Sequence, residues 1–300
     1  MDFGKLNDIS TLSFKLPKES PENQRVLREN EPANTQILVG LPIWANKNWL
    51  GKIYPKNTPS SDFLKIYAQQ FNTIELNATH YSLPEKKTIE KWCQDIDKDF
   101  RFCPKVPQQI SHTQKLQGTT KLVDEFVERM SFFSHNLGLS FLQLSPFFEY
   151  KNMDVVEDFL SKFPSEIPLA LEFRHQSWFE EGNFEQMAKI LEKYKTATVI
   201  TDVAGRRDVL HQRVTSDKQL IRFVGNNLHH TDYTRIDDWV EQIKKWLNEG
   251  LKEIYFFIHQ PDNLLAPELA SYLIEKLNLI DGLYLKTPKF VQSDVQMKLF

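Results

Sequence analysis

Eight short apolar stretches, separated for the most part by helix-like patterns, constrain this chain more than any other feature. They lie at 37–40, 73–76, 100–103, 140–144, 169–173, 198–201, 220–224 and 254–258. Each is brief, mostly β-branched or aromatic, and nearly continuous in hydrophobicity. That is how strands buried on both faces of a parallel sheet read. Between them apolar residues recur at helical spacing, as in Phe63, Leu64, Tyr67, Ala68 and Phe71, or Val155, Val156, Phe159, Leu160 and Phe163. The clearest set, Ile236, Trp239, Val240, Ile243, Trp246 and Leu247, runs out at Gly250, a natural left-handed helix cap. Pro267 opens a last helix, where its missing N–H does no harm.

Eight strand–helix units over about 250 residues predict an α/β fold of the TIM-like (β/α)8 barrel type. The connection between strands six and seven is too short for a full helix, so a slightly irregular barrel is expected. An open doubly wound sheet is the alternative, weakened because no Gly-rich dinucleotide loop follows the first strand. Residues 1–35 are polar, with Pro17, Pro21 and Pro32, and are read as an N-terminal arm with a short helix at 22–29. The barrel domain is assigned to 36–286 and a flexible C-terminal tail to 287–300.

With 41% hydrophobic and 26% charged residues the chain can bury a core, and a net charge of -3 argues against coating nucleic acid by bulk electrostatics. Cys93 and Cys103 read as buried free thiols of a reducing compartment. No leader pattern or membrane-length apolar run is visible, so a cytoplasmic protein with no membrane partner is expected.

Polar residues gather where the predicted strands end, which in such a barrel is the active-site face. Glu75 and Glu172 can act as an acid/base pair, or they can neutralise Lys105, Arg174 and Arg222 in a structural network. The same three cations suit a phosphate or carboxylate. His175, Asp202 and His259, with a glutamate, are candidates to orient substrate or to hold a divalent metal, although no HxH or HxxxH spacing supports a metal. No cofactor motif is evident. The substrate-binding set is completed by Trp44, Asn77, Tyr81, Gln143, Trp178 and Asp262, whose aromatic members could stack on a sugar or base or simply pack their loops. His112 alone says little, and His229 and His230 lie where either a lid or a plain surface turn would sit.

At these same residues the chain resembles the YecE-like family, a domain of unknown function (DUF72). The resemblance runs from about Leu38 to Leu277. It rests on Val39, Gly40 and Trp44, on Trp49, Gly51, Tyr54 and Pro55, and on the run from Phe71 to Tyr81 with Pro84. It continues through Trp92, Lys105, His112, Gln143 to Pro146, Glu172 to His175, Ser177, Trp178, Asp202, Arg222 and Gly225. The resemblance implies a TIM-like barrel and supplies no established activity. Leu41, Pro42 and Ile43 stand where a small Ser-Gly pair is usual, and His259 to Asp262 replaces an Asn/Asp-rich end of strand eight. Both departures fall at the mouth. A second resemblance lies in Gln296, Met297, Lys298, Leu299 and Phe300, similar to the pentapeptide by which bacterial DNA repair and replication proteins dock on the sliding clamp. It implies that Gln296, Leu299 and Phe300 bind a partner.

The expectation from these readings is a hydrolase acting on a phosphate-bearing or nucleic-acid-derived substrate. A non-catalytic ligand-binding protein and a glycoside-type hydrolase using two carboxylates are the alternatives.

Overall fold

The computed structural model describes residues 4–6, 8–28, 35–180 and 182–291. All eight expected strands form: β1 (Gln36–Leu41), β2 (Thr73–Leu76), β3 (Arg101–Pro104), β4 (Ser140–Gln143), β5 (Leu169–Glu172), β6 (Ala197–Asp202), β7 (Lys218–Val224) and β8 (Glu253–His259). They make one sheet in the order β3-β2-β1-β8-β7-β6-β5-β4, and every paired neighbour is parallel. The free edges of β3 and β4 meet through the bridges Phe102–Leu137 and Lys105–Phe141, and the Val106 N–H donates to the Phe141 carbonyl at 2.9 Å. The sheet thus closes into a TIM-like barrel.

Around it pack α2 (Phe63–Gln70), α3 (Lys86–Gln94), α4 (Thr120–Ser131), α5 (Met153–Lys162), α6 (Asn183–Lys193), α7 (His230–Glu249) and α8 (Ala266–Leu277). Helix α7 stops at Gly250, whose φ of 115° lies in the left-handed region and whose N–H caps Leu247, as the sequence predicts. The apolar stripe of α7 buries Ile236, Trp239, Ile243 and Trp246 against the outside of the sheet, each such side chain stabilising the fold by about 1.5–3 kcal/mol. Inside the barrel a separate core collects Leu38, Cys103, Phe141, Val199, Leu220, Tyr255 and Phe257. Gly40 belongs to this layer by necessity: a Cβ there would sit 2.2 Å from the Thr73 carbonyl oxygen across the β1–β2 contact.

The expected irregularity lies between β6 and β7. In place of a helix the chain makes a 3-10 turn (Ala204–Val209) and then an extended run back along β6. That run is held by Thr198 Oγ1 donating to the Arg213 carbonyl (2.6 Å) and Thr215 Oγ1 donating to the Thr196 carbonyl (2.7 Å). The N-terminal arm fills the vacant position. Its helix α1 (Glu22–Arg28) matches the predicted one. From it Asn23 grips the run with both ends of its amide, donating to the Gln212 carbonyl at 2.7 Å and accepting from the Val214 N–H at 2.9 Å. Upstream, Trp246 Nε1 donates to Glu19 (2.7 Å), and the Phe14 ring lies on the Arg207 and Arg235 guanidiniums. The described residues of the arm pack on the domain.

Beyond α8 the Lys289 N–H donates to Gln70 and the Val291 N–H to the Lys52 carbonyl, both at 2.7 Å. Gln296, Leu299 and Phe300 lie outside the described residues. No described helix is long and apolar enough to cross a membrane.

Candidate functional site

Strand alternation decides which polar residues face inward, and register partners on parallel strands share a face. Glu75 pairs with Cys103, Gln143 with Glu172, Thr201 with Arg222 and Val224 with His259. Glu75, Gln143, Glu172, Arg222 and His259 therefore line the top of the interior, and Lys105, just past β3, joins them. Most of the predicted set converges.

The centre of this layer is Arg222. Its Nε and Nη2 donate to the two oxygens of Glu75 at 3.0 and 2.9 Å, and its Nη1 donates to Glu172 at 2.8 Å. Arg174 Nε donates to the other Glu172 oxygen at 2.7 Å. Glu75 also accepts from Asn77 Nδ2 (2.7 Å) and lies 2.9 Å from His259 Nε2. Lys105 Nζ instead donates to the amide oxygen of Gln143 at 3.1 Å. Beneath both cations the Phe141 ring forms a floor, 5.4 Å from Arg222 and 6.0 Å from Lys105.

The charged groups among these are all buried, so their charges interact strongly. Burial pushes the Glu75 carboxyl up, but Arg222 and His259 outweigh it and hold it well below the usual carboxylate range. Glu172, likewise opposed by burial, is brought down to about 2 by Arg174, Arg222 and Lys105. Burial and the nearby Arg222 bring Lys105 down to about 8. Two carboxylates and two guanidiniums cancel, and Lys105 adds a positive charge to the mouth.

Several predicted residues lie elsewhere. Asp202 is the register partner of Phe223 and faces outward, where Arg207, Arg235 (2.8 Å) and Trp239 Nε1 (2.8 Å) enclose it. A catalytic role at the mouth does not fit that position. His175 accepts at Nδ1 from the Ser177 N–H, capping the short turn Gln176–Trp178. With Asp202 turned away and His259 committed to Glu75, the proposed metal donors do not converge. No cluster of three His, Cys, Asp or Glu suited to a metal occurs among the described residues. Trp178 is buried against Phe148 and Phe173 on the outside of the sheet. Trp44 packs edge-on against Trp92 (5.2 Å) and Phe102 in the helical layer. Both aromatics hold loops down, and neither reaches the charge network. Asp262 accepts from the Leu264 N–H in a solvent-exposed turn. Tyr81, 75% exposed, stands at the rim with its ring edge on His80. His229 caps the start of α7 by accepting from the Thr231 N–H, which makes it a helix cap.

Three relationships in the structure have no local signal in the sequence. Arg207 and Arg235, the partners of Asp202, sit far along the chain on other elements. His80 and His112 stack edge-on at 5.3 Å beside Lys105. The arm reaches the mouth itself: Gly4, Lys5, Leu6 and Ile9 face Gly225, His259 and Gln260 across a cleft of ≈ 400 Å³, and the Gly205 N–H donates to the Gly4 carbonyl.

The family described as "Protein of unknown function DUF72" matches residues 38–291. The UPF0759 protein YecE of Escherichia coli K12 is 31% identical over 260 residues, covering 80% of this chain and 92% of its own. The UPF0759 protein YunF of Bacillus subtilis 168 is 23% identical over 272 residues, covering 81% and 95%. Among solved structures, a DUF72 family protein from Enterococcus faecalis V583 superposes with a TM-score of 0.67 at 22% identity, covering 83% of this chain and 100% of that one. One from Thermotoga maritima MSB8 superposes at 0.65 and 24% identity, covering 81% and 99%. These structures share the fold.

Proposed function

The chain belongs to the DUF72 family, and on that premise we propose that its barrel mouth binds a small phosphate-bearing or nucleic-acid-derived anion and hydrolyses it. One observation carries the reading: Lys105, 7% exposed, keeps its ammonium at the mouth on an amide oxygen. Among the described residues that amide oxygen is its only hydrogen-bond acceptor, and a buried cation so placed is costly, a cost that an anion would offset. Arg174, hydrogen-bonded to Glu172, lies near enough to add its positive charge to that of Lys105.

The chemistry differs from the acid/base pair read in the sequence. Both glutamates are held ionised by guanidiniums, so neither is poised to donate a proton near neutral pH. Their place is to fix Arg222 and Arg174. The group suited to proton transfer is Lys105, at about 8. Glycoside hydrolysis needs one carboxyl with a raised pKa, which disfavours that reading. The closed Glu75–Arg222–Glu172 network favours a second reading, ligand binding without turnover.

Phosphate and nucleotide titrations by calorimetry, beside a phosphoester hydrolysis screen, test the proposal on the wild type and on Lys105→Met. Binding lost in the variant supports the anion site, and turnover separates the two readings. Equal binding in both proteins sinks the role of Lys105. Docking of Gln296, Leu299 and Phe300 on a sliding clamp is a separate proposal, tested by titrating a 287–300 peptide against the clamp.

A further inference from the structure

The loop after β3 carries a feature that the Glu–Arg network does not use. Residues Gln109–Thr113 form a single π-helical turn, a rare distortion that recurs at functional positions. It buries Ser111 and leaves His112 half-buried. Ser111 Oγ donates to the Pro107 carbonyl (3.4 Å) and lies 2.8 Å from His112 Nδ1. The 2.8 Å contact engages Nδ1 with the Ser111 hydroxyl, and when the hydroxyl proton lies on the Pro107 side the oxygen accepts from Nδ1–H and Nε2 keeps the lone pair. The ring is steadied by His80, whose Nδ1 donates to the Val106 carbonyl at 2.8 Å.

Four charged or titratable groups act on His112 from the packed elements: Lys105 after β3, Arg174 and Glu172 on the β5 side, and His80 after β2. Glu172 is already shared by two guanidiniums. We propose that His112 is a further contact of the anion site, taking up a proton at Nε2 when a dianion binds beside Lys105 and then donating a hydrogen bond to it. This rests on the reading of the mouth as an anion site. No covalent bond forms or breaks; the proton comes from solvent. Burial, Lys105 and Arg174 lower the pKa of His112, so the ring is neutral in the empty mouth. A dianion placed among these cations reverses the local field.

Inorganic sulfate is the probe, because it carries two charges throughout the neutral range and any proton taken up belongs to the protein. Titration calorimetry near neutral pH, in buffers of differing ionisation heat, counts that proton. Wild type is expected to take up a proton on binding. His112→Gln is expected to lose that proton, keeping only the small fraction that Lys105, at about 8, takes up itself, and to bind roughly tenfold more weakly, the loss of one charge-assisted hydrogen bond. The imidazole nitrogen resonances of the wild type read the same transfer without a variant. Binding with no proton uptake, or uptake that is undiminished in His112→Gln, overturns the role of His112 and leaves the anion site standing. Wild type that binds no sulfate overturns both.

Discussion

Arg222 lies flat against Glu75, its Nε and Nη2 donating to the two carboxylate oxygens at 3.0 and 2.9 Å, with both side chains almost wholly buried. The third guanidinium nitrogen spans to Glu172, so one cation from β7 ties β2 to β5 across the barrel. Removing it leaves two buried carboxylates short of their partner. Arg222→Met is expected to destabilise the fold by about 3–5 kcal/mol, read as a lower urea midpoint. An unchanged midpoint would show that the network contributes nothing to stability.

Acid should undo the same network. The folded pKa of Glu172, about 2, lies below its ordinary value of 4.5, and Glu75 is depressed as well. A depressed carboxyl stabilises the fold above its unfolded pKa, and that contribution is lost as pH falls toward the folded one. At about 1.4 kcal/mol per pKa unit, Glu172 alone accounts for about 3 kcal/mol between pH 4.5 and 2. Urea denaturation at stepped pH should show this slope, and it should flatten in Glu172→Gln.

Asp202 should behave differently from the residues of the mouth. Its carboxylate is enclosed by Arg207, Arg235 and Trp239 outside the sheet. Asp202→Asn is expected to cost about 2 kcal/mol or more, because it leaves buried guanidiniums short of their counter-charge. Phosphate affinity measured by calorimetry on the folded variant should stay at the wild-type value. A large loss of affinity with unchanged stability would return Asp202 to the site.

Legibility followed periodicity. The strands at 73–76 and 254–258 were readable because a buried parallel strand is apolar on both faces. Glu75, Lys105, Glu172 and Arg222 stood out as charges interrupting such runs. Facing was the harder matter. Asp202 ends β6 as Glu172 ends β5, yet one residue of register turns it to the outer face. Trp44 and Trp178 sit in mouth loops by sequence and in the helical layer by structure. Pairings such as Asp202 with Arg235, or Asn23 with Val214, join distant parts of the chain, and no local pattern encodes them.

The arm offers a clean stability test. Asn23 satisfies a backbone carbonyl and a backbone N–H of the 210–215 run at once, and no regular helix is there to do so. Asn23→Ala leaves both buried groups unpaired, at a cost of about 1–3 kcal/mol. Thermal unfolding should register this as a clear drop in midpoint. An unchanged midpoint would mean that the arm rests on the barrel without supporting it.

Lys105 sets function against stability. Its pKa falls from 10.5 to about 8 on folding, so the folded state disfavours its charged form. For a base shifted down, that cost is fully present below pH 8 and is relieved as pH rises toward 10.5. Wild-type stability should therefore climb between those limits, apart from other groups that titrate there. Lys105→Met removes the buried charge at similar length, keeps contact with the Phe141 ring, and should stabilise the protein by about 1–3 kcal/mol near neutral pH. The gain should shrink in alkali, while phosphate affinity falls at least tenfold or so through loss of a charged contact. Urea denaturation and calorimetry on the same preparations measure both. A variant that is less stable and binds phosphate as before would make Lys105 a structural cation, and the anion reading of the mouth would lose its main support.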